Sequence, residues 1–237
     1  DILGGNENVI SIIGDGSLSG GEAYEGLNNI VELGTNSIVI INDNEWSIPE
    51  NHGGYVQNLA KLRKTNGNCQ DNMFKALGFD YRYLDAGNDV LALIDLFKSV
   101  KDIDHPIVLH IHTKKGCGYA PAEADPESFH FAGPFNLETG EIYGGHGSAL
   151  LPSNILLNYM KQEIAKGEDI VALNAATPKF IMGLDKKNRD EFGKHFVDVG
   201  ICEEHAAAMA SGIAKRGARA IWGVNSTFFQ RTYDQLT

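Results

Sequence analysis

Val9-Ile10-Ser11-Ile12-Ile13-Gly14-Asp15-Gly16 is an apolar run that ends in a sharp turn around a carboxylate. The run is short and rich in β-branched residues, so residues 9–13 read as a buried parallel strand. Asp15 then lies just past the strand's carboxyl end, where open α/β sheets bind ligands. Gly14 and Gly16 flank it and let the backbone approach a phosphate without a Cβ in the way. Ser17 and the amides after it open a helix whose N-terminus faces an anion. Apolar spacing at Ala23, Leu27, Ile30 and Val31 places that helix at Gly21–Leu33, with Gly34 as its stop.

A second apolar run, residues 37–41, delivers Asn42-Asp43-Asn44 to the next strand end. Mg²⁺ takes hard oxygen ligands and completes its octahedron with phosphate oxygens, so one Asp, one Asn and a backbone carbonyl suffice for the protein's share. Asp15 with the Asn42-Asp43-Asn44 segment therefore reads as a metal–diphosphate clamp. A Gly-Asp-Gly turn alone is common punctuation, and Gly14, Gly16 and Gly20 do not fit the dinucleotide fingerprint. The strand–helix–strand interval before Asn42-Asp43-Asn44 is what makes the pair specific.

Further along, strands and helices alternate, which predicts doubly wound parallel sheets in an α/β fold. Helices are expected at 56–64, 69–77 and 89–100, and strands at 81–84 and 106–113, leaving Lys115 just beyond a strand end. Residues 116–151 have little periodicity and many Gly, Pro and acidic residues; a loop of this length is normally functional, and its end reads as a linker. A second α/β unit follows: a helix at 153–165 capped by Ser153, strands at 169–173, 195–199 and 220–224, and a helix at Glu203–Lys215.

Composition narrows the partners. The net charge is −11 and the pI about 5.1, against the clustered basic surface that nucleic acid requires. No apolar run reaches membrane-spanning length, and no signal peptide opens the chain. Cys69, Cys117 and Cys202 are unpatterned and suit reduced thiols in cytosol. No His or Cys spacing points to zinc. Asp1-Ile2-Leu3 reads as the middle of a helix-to-strand connection, and Asp234-Gln235-Leu236-Thr237 stops inside a helical pattern, so both ends read as cut.

Gly14-Asp15-Gly16 through Asn42-Asp43-Asn44 resembles the thiamin-diphosphate signature of transketolases, pyruvate dehydrogenase E1 and their relatives. Four further stretches narrow it: Thr113-Lys114-Lys115-Gly116-Cys117-Gly118-Tyr119-Ala120-Pro121-Ala122-Glu123, Phe129-His130 with Gly133-Pro134-Phe135, Asp198-Val199-Gly200-Ile201-Cys202-Glu203-Glu204-His205-Ala206, and Ser226-Thr227-Phe228-Phe229-Gln230-Arg231-Thr232-Tyr233-Asp234-Gln235. With these the chain resembles the 1-deoxy-D-xylulose-5-phosphate synthase family over essentially its whole length. The resemblance implies thiamin diphosphate and Mg²⁺ as cofactors, pyruvate and glyceraldehyde 3-phosphate as substrates, and a cytoplasmic homodimer. The reaction would be a decarboxylating condensation that opens the methylerythritol phosphate route to isoprenoids. Transketolase-type ketol transfer and a degenerate, non-catalytic paralogue are the alternatives.

It also implies roles. Asp15, Asn44 and Trp46 would hold the metal; Asp15, Gly16, Ser17, Asn44, Lys115, Glu203 and Phe228 the cofactor; Glu203 and His130 would be catalytic and Arg231 would meet the substrate. Glu203 would hydrogen-bond N1′ of the aminopyrimidine, a task that needs a buried carboxyl with a raised pKa; the plain reading is a first-turn acid favoured by the helix dipole. Phe228 and Arg231, three apart on a helix, would share a face. Residues 1–140 would form the C-terminal part of a diphosphate-binding domain, 141–152 a linker, and 153–237 the N-terminal part of a pyrimidine-binding domain. Departures from the family pattern are Asn225 in place of Tyr, Phe131 after His130, and Leu84-Asp85-Ala86-Gly87-Asn88 where a Gly-Pro-x-Asp-Gly-His segment is expected.

Overall fold

The computed structural model describes residues 5, 7–143 and 151–237. The connection expected at residues 1–3 and most of the linker expected at 141–152 lie outside them. The chain divides into two compact units after Phe131.

The first unit alternates strand and helix: β1 (Val9–Gly14), α1 (Gly21–Leu33), β2 (Ser37–Asp43), α2 (Gly54–Lys64), α3 (Met73–Leu77), β3 (Asp80–Leu84), α4 (Val90–Lys98), β4 (Ile107–His112) and α5 (Ala120–Ala124). All four strands are parallel, in the order β1-β2-β4-β3. Central strands of such a sheet are covered on both faces, and β2 and β4 are accordingly almost continuous runs of Ile, Val and Leu. Alternation sorts their side chains: Val39, Ile41 and Val108 pack with Leu27, Leu59, Leu62 and Phe74 on one face. Ile38, Ile40, Ile107, Leu109 and Ile111 pack with Leu93 and Leu96 of α4 on the other. Helices thus lie on both sides of the sheet, the doubly wound arrangement.

Strand β1 departs from expectation. It pairs only with β2 among the described residues and sits at the sheet edge, so Val9, Ile10 and Ile12 are 61%, 56% and 73% exposed rather than buried. Helix α3 is shorter than the expected 69–77, because the Asn72 side chain accepts the Phe74 and Lys75 amides and starts the helix there.

The second unit contains α6 (Pro152–Ala165), β5 (Ile170–Asn174), α7 (Pro178–Met182), α8 (Lys186–Phe192), β6 (Phe196–Asp198), α9 (Glu203–Lys215), β7 (Arg219–Gly223) and α10 (Ser226–Phe229). Its sheet is parallel in the order β6-β5-β7. Met160, Ile170, Ala172, Met182, Leu184 and Phe192 form its core. Ser153 does not cap α6: Leu151 occupies the cap position and Pro152 the first turn, where its missing N–H costs nothing. Helices α7 and α8 were not expected; Pro178 opens one, and Asp185, accepting the Asn188 amide at 2.8 Å, caps the other. Among the described residues no helix is long and apolar enough to cross a membrane.

Phe74 is fully buried and stacks on Tyr81, with ring centroids 5.9 Å apart. Phe74→Ala should therefore cost the first unit about 3–5 kcal/mol. Asp89→Ala, which removes only the cap of α4, should cost about 1 kcal/mol. Denaturant titration of the two variants tests the difference.

Candidate functional site

Three parallel strands end side by side in the first unit. Gly14 is in register with Asn42, and Asp43 with His112. Beyond the strands the ladder continues, as the Asp15 amide donates to the Asn42 carbonyl at 3.1 Å and the Thr113 amide to the Asp43 carbonyl at 2.8 Å. This register puts Asp15, the Asn42-Asp43-Asn44 segment and the start of the Lys114-Lys115 run at one sheet edge.

Asp15 is 2% exposed. Its carboxyl accepts the Gly16 and Glu45 amides, yet burial, with the Asp43 carboxylate against it, pushes it up to about 7. Asp43 is fully buried too, and burial alone would raise it. Instead the His110 Nε2 hydrogen bond at 2.8 Å and the Arg63 guanidinium hold it at about 2. Of the two adjacent acids, Asp43 has a guanidinium and an imidazole directly on its carboxylate, and Asp15 has backbone amides.

The turn is shaped locally. Asp43 Oδ1 accepts the Glu45 amide at 3.2 Å and Asn44 Oδ1 accepts the Trp46 amide at 3.0 Å. Asn44 Oδ1 keeps a second lone pair for a cation. Gly16 is tightly placed, since a Cβ there would come within 2.8 Å of Ser47 Cβ and 3.2 Å of Asn51 Oδ1. Gly14 has open space, so the expected need for glycine holds on packing grounds at Gly16 alone. Ser17 is exposed and starts a short 3₁₀ turn, Ser17–Ser19, ahead of α1. Asn51 Nδ2 is buried and has no hydrogen-bond partner among the described residues.

These features fit a divalent cation with a diphosphate. Among the described residues no three His, Cys, Asp or Glu side chains assemble as a metal cluster. What remains is a carboxylate, an amide oxygen and a backbone carbonyl, the hard oxygen set Mg²⁺ takes when phosphate completes its shell. A cation at Asp15 would restore the charged form that burial disfavours, and among the described residues the Asn51 donor has no other acceptor.

Lys115 approaches the same place. Its ammonium donates to the Ser47 carbonyl, lies 3.0 Å from His130 Nδ1 and 5.9 Å from the Trp46 ring centroid. Partial burial lowers its pKa, opposed by the charges of Asp15 and Glu127. Burial also lowers that of His130, with the Lys115 charge adding to it. Lys114 points elsewhere and pairs with Glu123. Lys115→Ala should thus weaken Mg²⁺-dependent diphosphate binding at least ten-fold more than Lys114→Ala, as read by calorimetry with thiamin diphosphate; equal losses would make the run an ordinary solvated loop.

In the second unit Glu203 opens α9 and is 2% exposed. Burial raises its pKa, although its own amide and Arg231 pull the other way. Arg231 Nη1 donates to Glu203 Oε2 at 2.6 Å, while Nε and Nη2 hold Glu204 Oε1 at 3.1 and 3.0 Å. Arg231 follows α10 in a 3₁₀ turn, Gln230–Thr232, so it does not continue the helix of Phe228. Phe228 is 41% exposed. Residues that the sequence did not single out are Arg63, His110, Tyr55, whose hydroxyl reaches the Asp15 carbonyl at 2.5 Å, and Asn51. Their partners are set by strand register and helix packing, which no local motif records.

Residues 1–70 match the family model described as 1-deoxy-D-xylulose-5-phosphate synthase, and residues 153–237 match the one described as transketolase, pyrimidine binding domain. Among curated proteins, 1-deoxy-D-xylulose-5-phosphate synthase 1 of Geobacter sulfurreducens is 36% identical over 274 residues, covering 100% of this chain and 42% of that protein. The Listeria monocytogenes synthase is 40% identical over 235 residues, covering 96% of this chain and 38% of that protein. The chain thus spans about two fifths of the length of the curated relatives it matches. By sequence, the chain is similar to 1-deoxy-D-xylulose-5-phosphate synthases over essentially its whole length.

Proposed function

We propose that this protein acts as a 1-deoxy-D-xylulose-5-phosphate synthase, joining pyruvate to glyceraldehyde 3-phosphate with release of carbon dioxide. The observation that supports it most is the buried Asp15 carboxyl, raised to about 7 by burial, at the strand ends where the family's metal–diphosphate motif falls. When bound, thiamin diphosphate supplies a carbon nucleophile that adds to the keto group of pyruvate and accepts the electron pair left by carbon dioxide.

The chain's own residues take the remaining tasks. Asp15, Asn44 and the Trp46 carbonyl hold Mg²⁺ against the diphosphate, while the Gly16 and Ser17 backbone and the Asn51 amide face its oxygens. Lys115 adds a positive charge there, and burial together with that charge favours the neutral form of His130, which can take up a proton. Glu203, kept protonatable by burial, holds a proton at N1′ of the aminopyrimidine. Phe228 offers an apolar face to the pyrimidine. Arg231 uses three N–H groups on the two glutamates and keeps the rest of its five donors for an anionic substrate. Residues 1–140 are the diphosphate-binding part and 153–237 the pyrimidine-binding part, joined by 141–152, in a cytoplasmic homodimer.

Carbon dioxide release from pyruvate, measured in the full-length protein with and without glyceraldehyde 3-phosphate, tests the reading. Release with formation of the 1-deoxy sugar phosphate supports it; ketol transfer between sugar phosphates without decarboxylation indicates transketolase chemistry instead. Glu203→Gln should lower turnover by roughly a hundred- to ten-thousand-fold. Glu204→Gln, which leaves the buried carboxyl in place, should cost far less, and exchange of the cofactor's C2 proton, followed by NMR, should slow only in Glu203→Gln.

A further inference from the structure

Asn44 stands between two residues gripped by one guanidinium. Arg63, on α2, donates through Nη1 to Asp43 Oδ2 and through Nη2 to Glu45 Oε2 at 2.9 Å. Asp43 is secured from its other side by His110 Nε2 at 2.8 Å, and His110 Nδ1 is in turn 2.8 Å from the Tyr81 hydroxyl. Asp43, His110 and Tyr81 are all buried, so this anchor is fixed by the sheet itself.

Glu45 has φ 71°, the left-handed region that a residue with a Cβ enters at a cost. Two successive side-chain turns accompany it, Asp43 Oδ1 to the Glu45 amide and Asn44 Oδ1 to the Trp46 amide. The bend turns on the Glu45 amide, which the Asp15 carboxyl accepts along with Asp43 Oδ1, so Asp15 and the Asn42-Asp43-Asn44 segment are tied to one peptide group. Glu45 itself is exposed, and its backbone is held by the Asn51 amide, which donates to the Glu45 carbonyl at 3.0 Å. On its side chain, His112 Nε2 lies 3.6 Å from Oε1, and the Arg63 fork spans the bend from Asp43 to Glu45.

We propose that Arg63 is a positioning residue for the divalent cation: by holding Asp43 and Glu45 together it keeps Asn44 Oδ1 and the Trp46 carbonyl in the arc that faces the ion. The proposal rests on the cation site assigned above. Arg63 holds Asp43 and Glu45, neither of which is assigned as a ligand. By charge alone it would oppose a nearby cation, so its contribution is geometric. A lysine retains the charge but, as a single point donor, cannot bridge two carboxylates.

The test is Mn²⁺ binding to the full-length protein in the presence of thiamin diphosphate, with free Mn²⁺ read by electron paramagnetic resonance. Wild type should bind and Asp15→Ala should not; a wild type that binds no Mn²⁺ overturns the cation site and this role with it. Given that binding, Arg63→Lys should raise the Kd about ten-fold, the range seen when groups supporting a metal ligand are removed. Adding Glu45→Gly, which adopts positive φ freely, should recover most of the loss. A Kd unchanged in Arg63→Lys, or one weakened but not recovered by Glu45→Gly, overturns the role while leaving the cation site standing. Should Arg63→Lys not fold, Glu45→Val applies the same strain at an exposed position with Arg63 intact: a raised Kd supports the role and a wild-type Kd overturns it.

Discussion

Two carboxyl groups facing each other out of water at the ends of three parallel strands constrain the first unit more than any other feature. Asp15 and Asp43 cannot both be charged there without help. Asp43 has its help within the fold: Arg63 from α2 and His110 from β4, which ties a helix and a central strand to the turn after β2. Asp15 is met by the Gly16 and Glu45 amides and feels the Lys115 ammonium, yet burial and the Asp43 carboxylate keep its pKa up at about 7. The sheet's register, the order β1-β2-β4, and the placing of α2 all serve to bring these groups together. In the second unit a related economy holds, where Arg231 offsets Glu203 and Glu204 at once and burial still keeps the Glu203 carboxyl protonatable.

Elements whose identity follows from side chains alone were legible in the sequence. Strands β2 and β4 are short runs dominated by Ile, Val and Leu, α1 has both its apolar stripe and its glycine stop, and α9 spans Glu203–Lys215 as expected, ahead of Gly217. Reading failed where a partner decides. The apolar side chains of β1 suggested burial, but exposure depends on what lies beside a strand, and β1 is an edge. Short helices such as α7 and α8 have too few turns for a periodic stripe, and only Pro178 and the Asp185 cap announce them.

The candidate site divides in the same way. Asp15, Asn44, Trp46, Lys115 and His130 are marked by local motifs and by resemblance, and the fold gathers them in the first unit. Arg63 and His110 lie 20 and 67 positions from Asp43, joined to it only by packing and register. A strand at 106–113 is legible, but alternation along it says nothing about the Asp43 carboxylate that stands opposite His110. Arg231, read as meeting substrate, is found gripping the two glutamates, a partnership across 28 positions that its motif did not indicate.

The account's central claim is that Asp15, Asn44 and the Trp46 carbonyl together bind a divalent cation carrying a diphosphate. The most direct measurement is anomalous diffraction from crystals of the full-length protein grown with Mn²⁺ and thiamin diphosphate. The account predicts one strong anomalous peak within about 2.3 Å of oxygens from all three residues, with phosphate oxygens completing an octahedron. Diphosphate density without a peak there, or a peak ligated by other residues, would contradict it.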